Sequence, residues 1–400
     1  MYDVIVIGAR CGGSPTAMLL ARKGYRVLLV DKAAFPSDTI STSYIWQPGV
    51  ACLRHWNLLD KVAASNCPPA QEFKFDLGEF ALAGSPPAAE GVHEAYCVRR
   101  TVLDKILADA AVEAGTELRE RFSVQELVCE NGRVTGIRGR SSNGAAISEA
   151  GRLVVGADGV HSLVARTVNA SRYQEKPPLT CWYYSFWSGV PLEKVEAYPR
   201  DGRWIVAVRT NNGLTLVIVA WTNKEFSKFR ANLESNFLAT LREHTPDLAD
   251  RVQAGKREER FMGTADLPNF FRKPYGDGWA LVGDAGYHKD PVAAQGITDA
   301  FRHAELLTEA IDAGFSGRQP LRDALAKYEQ NRNQDVTPRY ELTCNFATLA
   351  PLSPDMRALF RALKDNRVDT SQFFGTLAGT VAVSEFFAPE NIGRILGSAA

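Results

Sequence analysis

The pattern of hydrophobic positions changes along the chain and predicts two kinds of strand. Runs of consecutive apolar residues at 4–7, 27–30 and 279–282 are typical of strands buried on both faces of a parallel sheet. Residues 179–222 instead alternate and are rich in Trp, Tyr, Thr and Val, which predicts antiparallel strands. Further strands are expected near 124–129, 133–139 and 152–156.

Helical periodicity fills much of the remaining sequence. Residues 99–118 place apolar side chains at a 3.6-residue spacing, as an amphipathic helix does. Helices are expected over 14–23, 48–65, 99–118, 229–244 and 295–313, and through most of the region after 320. This order of elements indicates an α/β nucleotide-binding body that is assembled from separated segments and interrupted by a sheet-rich substrate module.

A glycine-rich turn joins the first predicted strand to the first predicted helix. Gly8 and Gly13 occupy the first and third glycine positions of a dinucleotide-binding turn, whereas Arg10 stands at the second. Arg10 either adds charge toward a phosphate or points to solvent, and Gly12 relaxes the turn. Asp31 closes the next strand, where an acidic side chain accepts hydrogen bonds from a ribose.

Two further turns follow predicted strands. Residues 156–159 read Gly-Ala-Asp-Gly, and residues 283–291 read Gly-Asp-Ala-Gly-Tyr-His-Lys-Asp-Pro. Gly296 then lies at the start of a long predicted helix. Because cofactors bind at the carboxyl ends of strands in open α/β sheets, Asp158 and Asp284 are candidate binding residues.

Composition and charge argue against several classes of protein. The chain has 400 residues, and its 46 basic and 46 acidic residues cancel, unlike the basic excess of a nucleic-acid binder. No uncharged stretch reaches the roughly 18 residues of a membrane span, and the start of the sequence lacks the basic region of a secretory signal. Seven scattered cysteines without a CxxC pair predict a reducing, cytoplasmic location, and the dispersed histidines predict no bound metal.

Together, the three turns resemble those of the FAD-dependent monooxygenases of the aromatic hydroxylase type. They are also similar to those of related geranylgeranyl reductases and flavin-dependent halogenases, and the resemblance covers about residues 1–315. It implies an α/β fold with a Rossmann-like, glutathione-reductase-like FAD-binding domain, an inserted antiparallel-sheet substrate domain and a helical C-terminal region. The implied boundaries are 1–70, 96–172 and 270–315 for the FAD-binding domain, 71–95 and 173–269 for the substrate domain, and 316–400 for the C-terminal region.

The resemblance also implies how individual residues would bind FAD. Gly8 and Gly13 would lie at the pyrophosphate, and Asp31 at the adenosine ribose. Arg100 resembles the Arg of an Arg-x-x-Leu element beside the cofactor, with Arg99 as the alternative. The implied cofactor-binding residues are Gly8, Arg10, Gly12, Gly13, Asp31, Lys32, Arg100, Asp158, Gly283, Asp284, Pro291, Gln295, Gly296 and Ile297.

The flavin ring would lie at the third turn. Pro291 would flank the isoalloxazine, and Gly296 its pyrimidine edge, where a helix N-terminus stabilises the negative charge of reduced flavin. This chain departs from the family here, because His288 comes one place late and Ala293 replaces a usual glycine. Pro291, Tyr287 and His288 are the candidate catalytic residues; the last two either orient substrate and move a proton or are polar groups satisfied within the loop.

The implied reaction hydroxylates or epoxidises an apolar, aromatic or polyketide-like small molecule. NAD(P)H would reduce FAD, and molecular oxygen would form a flavin C4a-hydroperoxide that transfers one oxygen atom. Because water must be kept from that species, an apolar pocket is expected. Trp182, Tyr184 and Phe186 share one face of a predicted strand and form a candidate pocket wall, with ordinary sheet core as the alternative. Tyr44 and Trp46 are further pocket candidates.

Other functions stay open at this stage. A geranylgeranyl-reductase-like enzyme would saturate carbon-carbon double bonds, but its Tyr-x-Trp-x-Phe-Pro element corresponds poorly to residues 184–191. A halogenase has a Trp-x-Trp-x-Ile-Pro element and a lysine beyond the flavin, and neither can be assigned. If the protein were a non-enzymatic flavin-binding module, no reductant would drive turnover of its flavin. The choice of NADH or NADPH, a partner flavin reductase and a homodimer also stay open.

Overall fold

The strands fall into two large sheets and two small ones. A computed structural model describes residues 1–398. In chain order the strands are β1 (Tyr2–Ile7), β2 (Val27–Val30), β3 (Tyr44–Ile45), β4 (Pro69–Ala70), β5 (Phe73–Asp76), β6 (Ala81–Gly84), β7 (Ala95–Cys97), β8 (Glu117–Arg119), β9 (Ser123–Glu130), β10 (Arg133–Arg140), β11 (Ala146–Gly156), β12 (Arg172–Lys176), β13 (Thr180–Ser188), β14 (Val195–Arg200), β15 (Arg203–Arg209), β16 (Thr215–Thr222), β17 (Lys256–Arg257), β18 (Met262–Thr264), β19 (Asn269–Arg272), β20 (Tyr275–Gly276), β21 (Trp279–Leu281) and β22 (Tyr287–His288).

The helices lie between the strands in the first two thirds of the chain and dominate its end. They are α1 (Gly13–Arg22), α2 (Gln47–His55), α3 (Leu59–Ala63), α4 (Arg100–Glu113), α5 (Leu163–Thr167), α6 (Phe226–Ala231), α7 (Leu233–His244), α8 (Pro246–Ala254), α9 (Gly296–Phe315), α10 (Leu321–Ala347), α11 (Pro354–Leu363), α12 (Arg367–Ala378), α13 (Val383–Phe386) and α14 (Pro389–Gly397). Short 3-10 turns lie at Gly283–Ala285 and Pro291–Ala293.

The first large sheet contains the parallel strands that the apolar runs predict. Its order is β20-β21-β11-β1-β2-β8, and the pairs from β21 to β8 are parallel. On one face, Val4 and Val6 of β1 pack into a core shared with α1, α4 and α9. On the other face, Ile5 and Ile7 pack with residues of β9, β10 and α5. Burial on both faces explains why β1 is apolar at consecutive positions.

The second large sheet is the one that the alternating pattern predicts. Its order is β17-β13-β16-β15-β14-β5-β6, with β18 also paired to β13, and its pairs are antiparallel except β14 with β5. Trp182, Tyr184 and Phe186 share one face of β13, which packs against the C-terminal helices α11 and α12. The opposite face packs against α6, α7 and α8. The alternation of β13 is therefore an alternation between two cores rather than between core and solvent.

Three predicted helices are shorter or interrupted in the structure. The helix expected over 99–118 ends at Glu113, because Gly115 takes a positive φ of 100° and the chain then enters edge strand β8. The helix expected over 48–65 is split into α2 and α3 at Asn57, whose φ is 60°. The helix expected over 229–244 is divided at Asn232, between α6 and α7.

Candidate functional site

The three predicted turns follow three adjacent strands of the parallel sheet. Strand β11 lies between β1 and β21 and is parallel to both. The glycine-rich turn follows β1, the Asp-Gly turn follows β11, and the turn Gly283–Ala285 follows β21. Since the carboxyl ends of parallel strands share one edge, turns that are remote in sequence meet there.

The turns approach one another so closely that side chains would collide. A Cβ on Gly8, whose φ is +104°, would lie 2.4 Å from the carbonyl oxygen of Ala157. A Cβ on Gly13 would lie 1.7 Å from the carbonyl oxygen of Gly8. Gly12 has more room, because its Cβ would lie 3.6 Å from the Cα of Gly283. The first and third positions of the turn therefore require glycine for backbone packing alone.

The beginning of α1 is open to an anion. Gly12 is its N-cap and offers no side-chain cap, so the first N–H groups of the helix are left to another acceptor. Asp31, at the end of β2, accepts the N–H of Ala9 at 2.7 Å and of Ala33 at 2.8 Å. This nearly buried carboxylate is thus fixed beside the turn, and each oxygen keeps a lone pair for a hydroxyl donor.

Asp158 and Asp284 lie at the other two strand ends. Asp158 Oδ2 accepts the N–H of Leu163 at 2.6 Å, whereas its Oδ1 is buried and has no hydrogen-bond partner among the described residues. Burial raises the pKa of Asp158. Asp284 is exposed at the tip of the third turn. Both carboxyl groups are therefore available to a ligand at the sheet edge.

Arg10 and Arg100 both pair with Asp104, one turn into α4. Arg100 donates from Nε and Nη2 to Asp104 Oδ1 at 3.0 and 2.9 Å. Arg10 forms an ion pair with the same carboxylate and donates to Ser37 Oγ at 3.0 Å. The side chain of Arg10 is therefore held by Asp104 and Ser37 rather than free in solvent.

The third turn ends at an open helix N-terminus. Asp290 accepts the N–H of Val292 and caps the 3-10 turn Pro291–Ala293, and Ala294 then adopts a left-handed φ of 51°. Helix α9 begins at Gly296, has no side-chain cap, and has open space where the Gly296 Cβ would be. This geometry suits a negatively charged group placed against the start of α9.

A small aromatic chamber adjoins this turn. Its volume is about 70 Å³, and its walls combine residues 291–294 with side chains of the antiparallel sheet and of β3. Trp46 Nε1 donates to the carbonyl oxygen of Ala293 at 2.9 Å, and the Trp46 ring stacks on Phe73 at 4.7 Å. The aromatic residues in the walls are Tyr44, Trp46, Phe73, Phe75, Trp182, Trp204, Phe346 and Phe374.

Two of the five predicted pocket residues lie outside the chamber walls. Tyr44, Trp46 and Trp182 line the chamber, as expected. Tyr184 and Phe186 share the face of Trp182 but lie farther along β13. The Tyr184 hydroxyl accepts the N–H of Ser41 at 3.2 Å, and the guanidinium of Arg99 lies 4.4 Å from the centre of the Phe186 ring. Trp182, Tyr184 and Phe186 thus share one face of β13, but of these three only Trp182 lines the chamber.

Tyr287 and His288 also lie away from the chamber. The buried Tyr287 ring packs 4.7 Å from Phe271, and its hydroxyl has no partner among residues 1–398. His288 Nδ1 bonds to the carbonyl oxygen of Pro268 at 2.5 Å. Both residues form β22, on the side of the turn opposite the chamber, whereas Pro291 is in the chamber wall. The bond of His288 fits the alternative of a polar group satisfied within the loop, whereas the unpartnered Tyr287 hydroxyl does not.

The last three cofactor candidates differ in exposure. Lys32 is exposed directly after Asp31. Gln295 is buried; its Nε2 donates to the carbonyl oxygen of Leu377 at 2.5 Å, and its Oε1 accepts from Lys289. Ile297 packs in the core beneath the parallel sheet. Of these side chains, only Lys32 reaches solvent at the edge of the site.

Sequence reasoning missed a hydrogen-bonded chain behind the chamber wall. Asp290 Oδ2 bonds to Thr180 Oγ1 at 2.5 Å, and Thr180 Oγ1 accepts from Trp182 Nε1 at 2.6 Å. Burial without an ion-pair partner among the described residues raises the pKa of Asp290 to about 7. The only sequence signal was an Asp directly before Pro291, which did not reveal its partner.

A buried ionic cluster also escaped prediction. Lys289 Nζ lies 2.8 Å from Asp299 Oδ2, and Arg339 Nη1 lies 3.4 Å from Asp299 Oδ1. Although burial opposes its charge, these two cations lower the pKa of Asp299 to about 2. Burial lowers the pKa of the neighbouring His303 to about 3, so the imidazole is neutral near pH 7. This cluster fixes the start of α9 to α10.

The fold and the assembled turns define a dinucleotide-binding oxidoreductase of the α/β type. The family model described as "FAD binding domain" matches residues 1–339. The chain therefore belongs to this family of FAD-dependent oxidoreductases.

Known proteins with similar sequences and folds catalyse different reactions. The digeranylgeranylglycerophospholipid reductase of Methanocella arvoryzae is 27% identical over 345 residues, which cover 82% of each chain. The flavin-dependent brominase Bmp2 has a similar fold, with a TM-score of 0.84 at 19% identity over 99% of this chain and 98% of that one. PqsL, a probable FAD-dependent monooxygenase from Pseudomonas aeruginosa, has a TM-score of 0.71 at 19% identity over 94% of this chain and 99% of that one.

The described residues fit the FAD cofactor of this family, and no candidate metal site is found among them. The cradle formed by Gly8 and Gly13 and the uncapped α1 and α9 suit a diphosphate and an anionic ring edge, and the unpartnered Asp158 Oδ1 suits a hydroxyl donor of the ligand. Within residues 1–398 no cluster of His, Cys, Asp or Glu could hold a metal, and all seven cysteines are free thiols. In that same range, no helix combines the length and apolarity needed to cross a bilayer.

Replacing Asp284 tests the cofactor-binding edge. We expect Asp284→Ala to weaken FAD binding by about tenfold or more, because a hydrogen bond to a charged group contributes about 1.5–3 kcal/mol. Flavin content after desalting and fluorescence titration of the apoprotein would measure this change. Asp277→Ala is the matched control, since Asp277 is exposed and precedes β21 whereas Asp284 follows it. Equal affinity of the two variants would contradict the assignment.

The raised pKa of Asp290 predicts an unusual dependence of stability on pH. The unfolded chain loses this proton near pH 4, whereas the folded chain keeps it until about pH 7. Unfolding therefore releases a proton within that window, and stability falls as the pH rises through it. Asp290→Asn should remove this fall. Thermal denaturation between about pH 4 and pH 7 should show the melting temperature of wild type falling relative to that of Asp290→Asn. A constant difference between the two proteins would rule the shift out.

Proposed function

We propose that this protein is a monooxygenase that uses FAD, NAD(P)H and molecular oxygen to hydroxylate or epoxidise an apolar, aromatic or polyketide-like metabolite. The observation that carries the proposal is the aromatic chamber beside residues 291–294. An apolar space next to the reacting edge of a flavin favours oxygen transfer, because water destroys the reactive species. The proposed location is the cytoplasm.

The proposed division of labour follows the two large sheets. Residues 1–70, 96–172 and 270–315 would hold FAD, residues 71–95 and 173–269 would hold the substrate, and the region from 316 onward would cover the substrate sheet. The packing of α11 and α12 against β5 and β13 supports this arrangement.

In this proposal the chain holds the cofactor by its turns. Gly8, Gly13 and the start of α1 would bind the pyrophosphate, Asp31 the adenosine ribose, and Asp284 the ribitol. FAD would supply hydride acceptance and oxygen activation when bound. The open N-terminus of α9 would stabilise negative charge on the ring edge.

The chamber side chains would orient the substrate and exclude water. The bond from Trp46 Nε1 to Ala293 fixes the ring of Trp46 against the flavin-facing turn. The bonds from Trp182 to Thr180 and from Thr180 to Asp290 fix the facing wall. Asp290, with its pKa near 7, would hold a proton at Oδ2 directly behind Pro291. The Trp46 and Trp182 walls would thus be held in place before the substrate binds.

A reductase of carbon-carbon double bonds is the second candidate. The sequence similarity to digeranylgeranylglycerophospholipid reductases favours it, because those relatives match over most of both chains. A reductase would not need to exclude water from an oxygen adduct. The two functions therefore differ in whether oxygen enters the product.

A halogenase finds less support in the chamber. The fold of Bmp2 is similar, but the one lysine among the described chamber residues, Lys74, places its ammonium 3.0 Å from Asp76 Oδ2. That ammonium also lies 5.6 Å from the Tyr198 ring, which belongs to the core on the opposite face of the sheet. Lys74 thus presents its charge away from the chamber.

Isotope labelling distinguishes these functions. The purified holoprotein, with NAD(P)H, is expected to introduce one oxygen atom from ¹⁸O₂ into members of a panel of uncharged fused-ring phenols. Consumption of NAD(P)H and O₂ should then match product formation. Anaerobic saturation of an isoprenoid alcohol such as geranylgeraniol would favour the reductase instead, and a product that forms only with added halide would favour the halogenase.

A matched pair of tryptophan variants provides the control for this assay. Trp46→Phe removes the donor to Ala293 and should divert oxygen to hydrogen peroxide while FAD stays bound. Trp56→Phe removes a comparable bond, to Glu305 at 3.0 Å, outside the chamber walls, and should leave the coupling of NAD(P)H oxidation to product unchanged. Equal coupling in both variants would show that the chamber is not the reaction site.

A further inference from the structure

The chamber is too small to contain a whole substrate of the proposed kind. Its volume is about 70 Å³, whereas an engineered protein cavity that binds a single benzene ring measures about 150 Å³. The chamber therefore admits only part of one ring, and a multi-ring molecule that inserts a ring edge at residues 291–294 must continue beyond the chamber walls.

A larger groove lies directly behind one of those walls. It has a volume of about 710 Å³ and runs between the β14–β15 hairpin, the end of α10 and residues 349–357. Phe75, Trp204 and Phe346 line both spaces and form the partition between them. The rings of Phe75 and Phe346 lie 5.6 and 5.9 Å from the Trp204 ring. A ligand that passes this partition would occupy both spaces.

The indole N–H of Trp204 has no hydrogen-bond partner. Trp204 is 5% exposed, and its Nε1 is buried and unpaired among the described residues. Three other buried tryptophans are satisfied: Trp46 donates to Ala293, Trp182 to Thr180, and Trp221 to Thr240 at 3.2 Å. A buried donor without an acceptor costs about 1–3 kcal/mol. The partition therefore contains a polar atom that a ligand acceptor would satisfy.

The charged groups around the groove disfavour an anion. Two arginines line it: Arg200 pairs with Asp76 at 2.8 Å, and Arg357 pairs with Glu79 at 2.9 Å. The acidic residues at its rim are Asp201, which is exposed, and Glu341, which pairs with Lys176. A phosphate or carboxylate in the groove would have to displace these carboxylates and face the charge of Asp201.

We infer that the substrate is an uncharged, extended aromatic molecule that parts the partition, inserts the edge of its reacting ring into the chamber, places its distal part in the groove, and accepts a hydrogen bond from Trp204 Nε1. This inference rests on the proposed monooxygenase function and narrows its substrate class. An isoprenoid chain fits the apolar walls but offers no acceptor to Trp204. A carbonyl, ether or hydroxyl oxygen on a multi-ring ligand does.

Binding measurements on the holoprotein test the hydrogen bond without depending on turnover. The probes are flavone, which has three rings and a carbonyl acceptor, and 2-phenylnaphthalene, which has a similar shape and no acceptor. Calorimetry, or perturbation of the bound flavin spectrum, would give Kd values. Trp204→Phe keeps an aromatic ring and removes the N–H, so we expect about fivefold to tenfold weaker flavone binding. The hydrocarbon should bind both proteins equally.

A second pair of variants tests the use of the groove. Ala350 is exposed and lines the groove, so Ala350→Trp should weaken binding of flavone at least tenfold but leave chromone, which lacks the distal phenyl ring, unaffected. Ala64→Trp, at an exposed position after α3, is the control and should change neither. A flavone carrying a carboxylate on its phenyl ring should bind wild type more weakly than flavone itself.

Several outcomes would overturn the inference. Equal weakening of flavone and 2-phenylnaphthalene by Trp204→Phe would show a packing effect rather than a hydrogen bond. Equal effects of Ala350→Trp on the binding of flavone and chromone would refute the use of the groove. Tighter binding of the flavone carboxylate than of flavone would refute an uncharged ligand. Failure of wild type to bind flavone would refute the substrate class. Because these results concern binding, they stand apart from the ¹⁸O₂ assay, whose failure would count against the monooxygenase function alone.

Discussion

The whole arrangement depends on the fit of three turns at one edge of the parallel sheet. The carbonyl of Ala157 occupies the space that a side chain at Gly8 would need, and the carbonyl of Gly8 excludes one at Gly13. Since β1, β11 and β21 are adjacent, most of the second large sheet is inserted between the turn after β11 and the turn after β21, while β5 and β6 come from the segment between β4 and β7. Its β13 therefore begins close to the third turn, and the chamber forms beside the cofactor-binding edge as a consequence of chain connectivity.

The third turn is held from both sides by buried polar groups. Asp290 bonds to Thr180 of β13, and Gln295 bonds to the carbonyl oxygen of Leu377 in α12. Lys289 and Asp299 form a buried ion pair between them. Burying such charges is costly and contributes little net stability, but it leaves the turn few alternative positions. A rigid turn is what a reacting edge requires, because small displacements change rates strongly.

Local pattern was sufficient for the strands and turns but not for contacts between remote segments. The apolar run at 4–7 and the glycines of the first turn predicted β1 and its close packing, because both follow from a few neighbouring residues. The helix expected over 99–118 was wrong after Glu113, since the pairing of β8 with β2 overrides helical periodicity. The ion pair of Arg10 with Asp104 was missed because the two residues are 94 positions apart, and the separation of 110 positions between Thr180 and Asp290 hid their bond in the same way. Alternation placed Trp182 and Tyr184 on one face correctly, yet only the fold shows that the chamber ends between them.

The cofactor-binding edge depends on backbone groups and the chamber on side chains, and this difference accounts for relatives that share a fold but differ in activity. The cofactor-binding edge is built largely from glycines, backbone amides and helix termini, so different sequences preserve it and a similar fold recurs at about 20% identity. The chamber instead depends on side chains, and one substitution there changes which ligand atoms are satisfied. The N–H groups of Trp46 and Trp182 donate hydrogen bonds that fix the walls, whereas the N–H of Trp204 has no partner among the described residues. A ligand acceptor would satisfy this N–H, and in the proposed enzyme the selection of substrate would then lie at the partition rather than at the flavin.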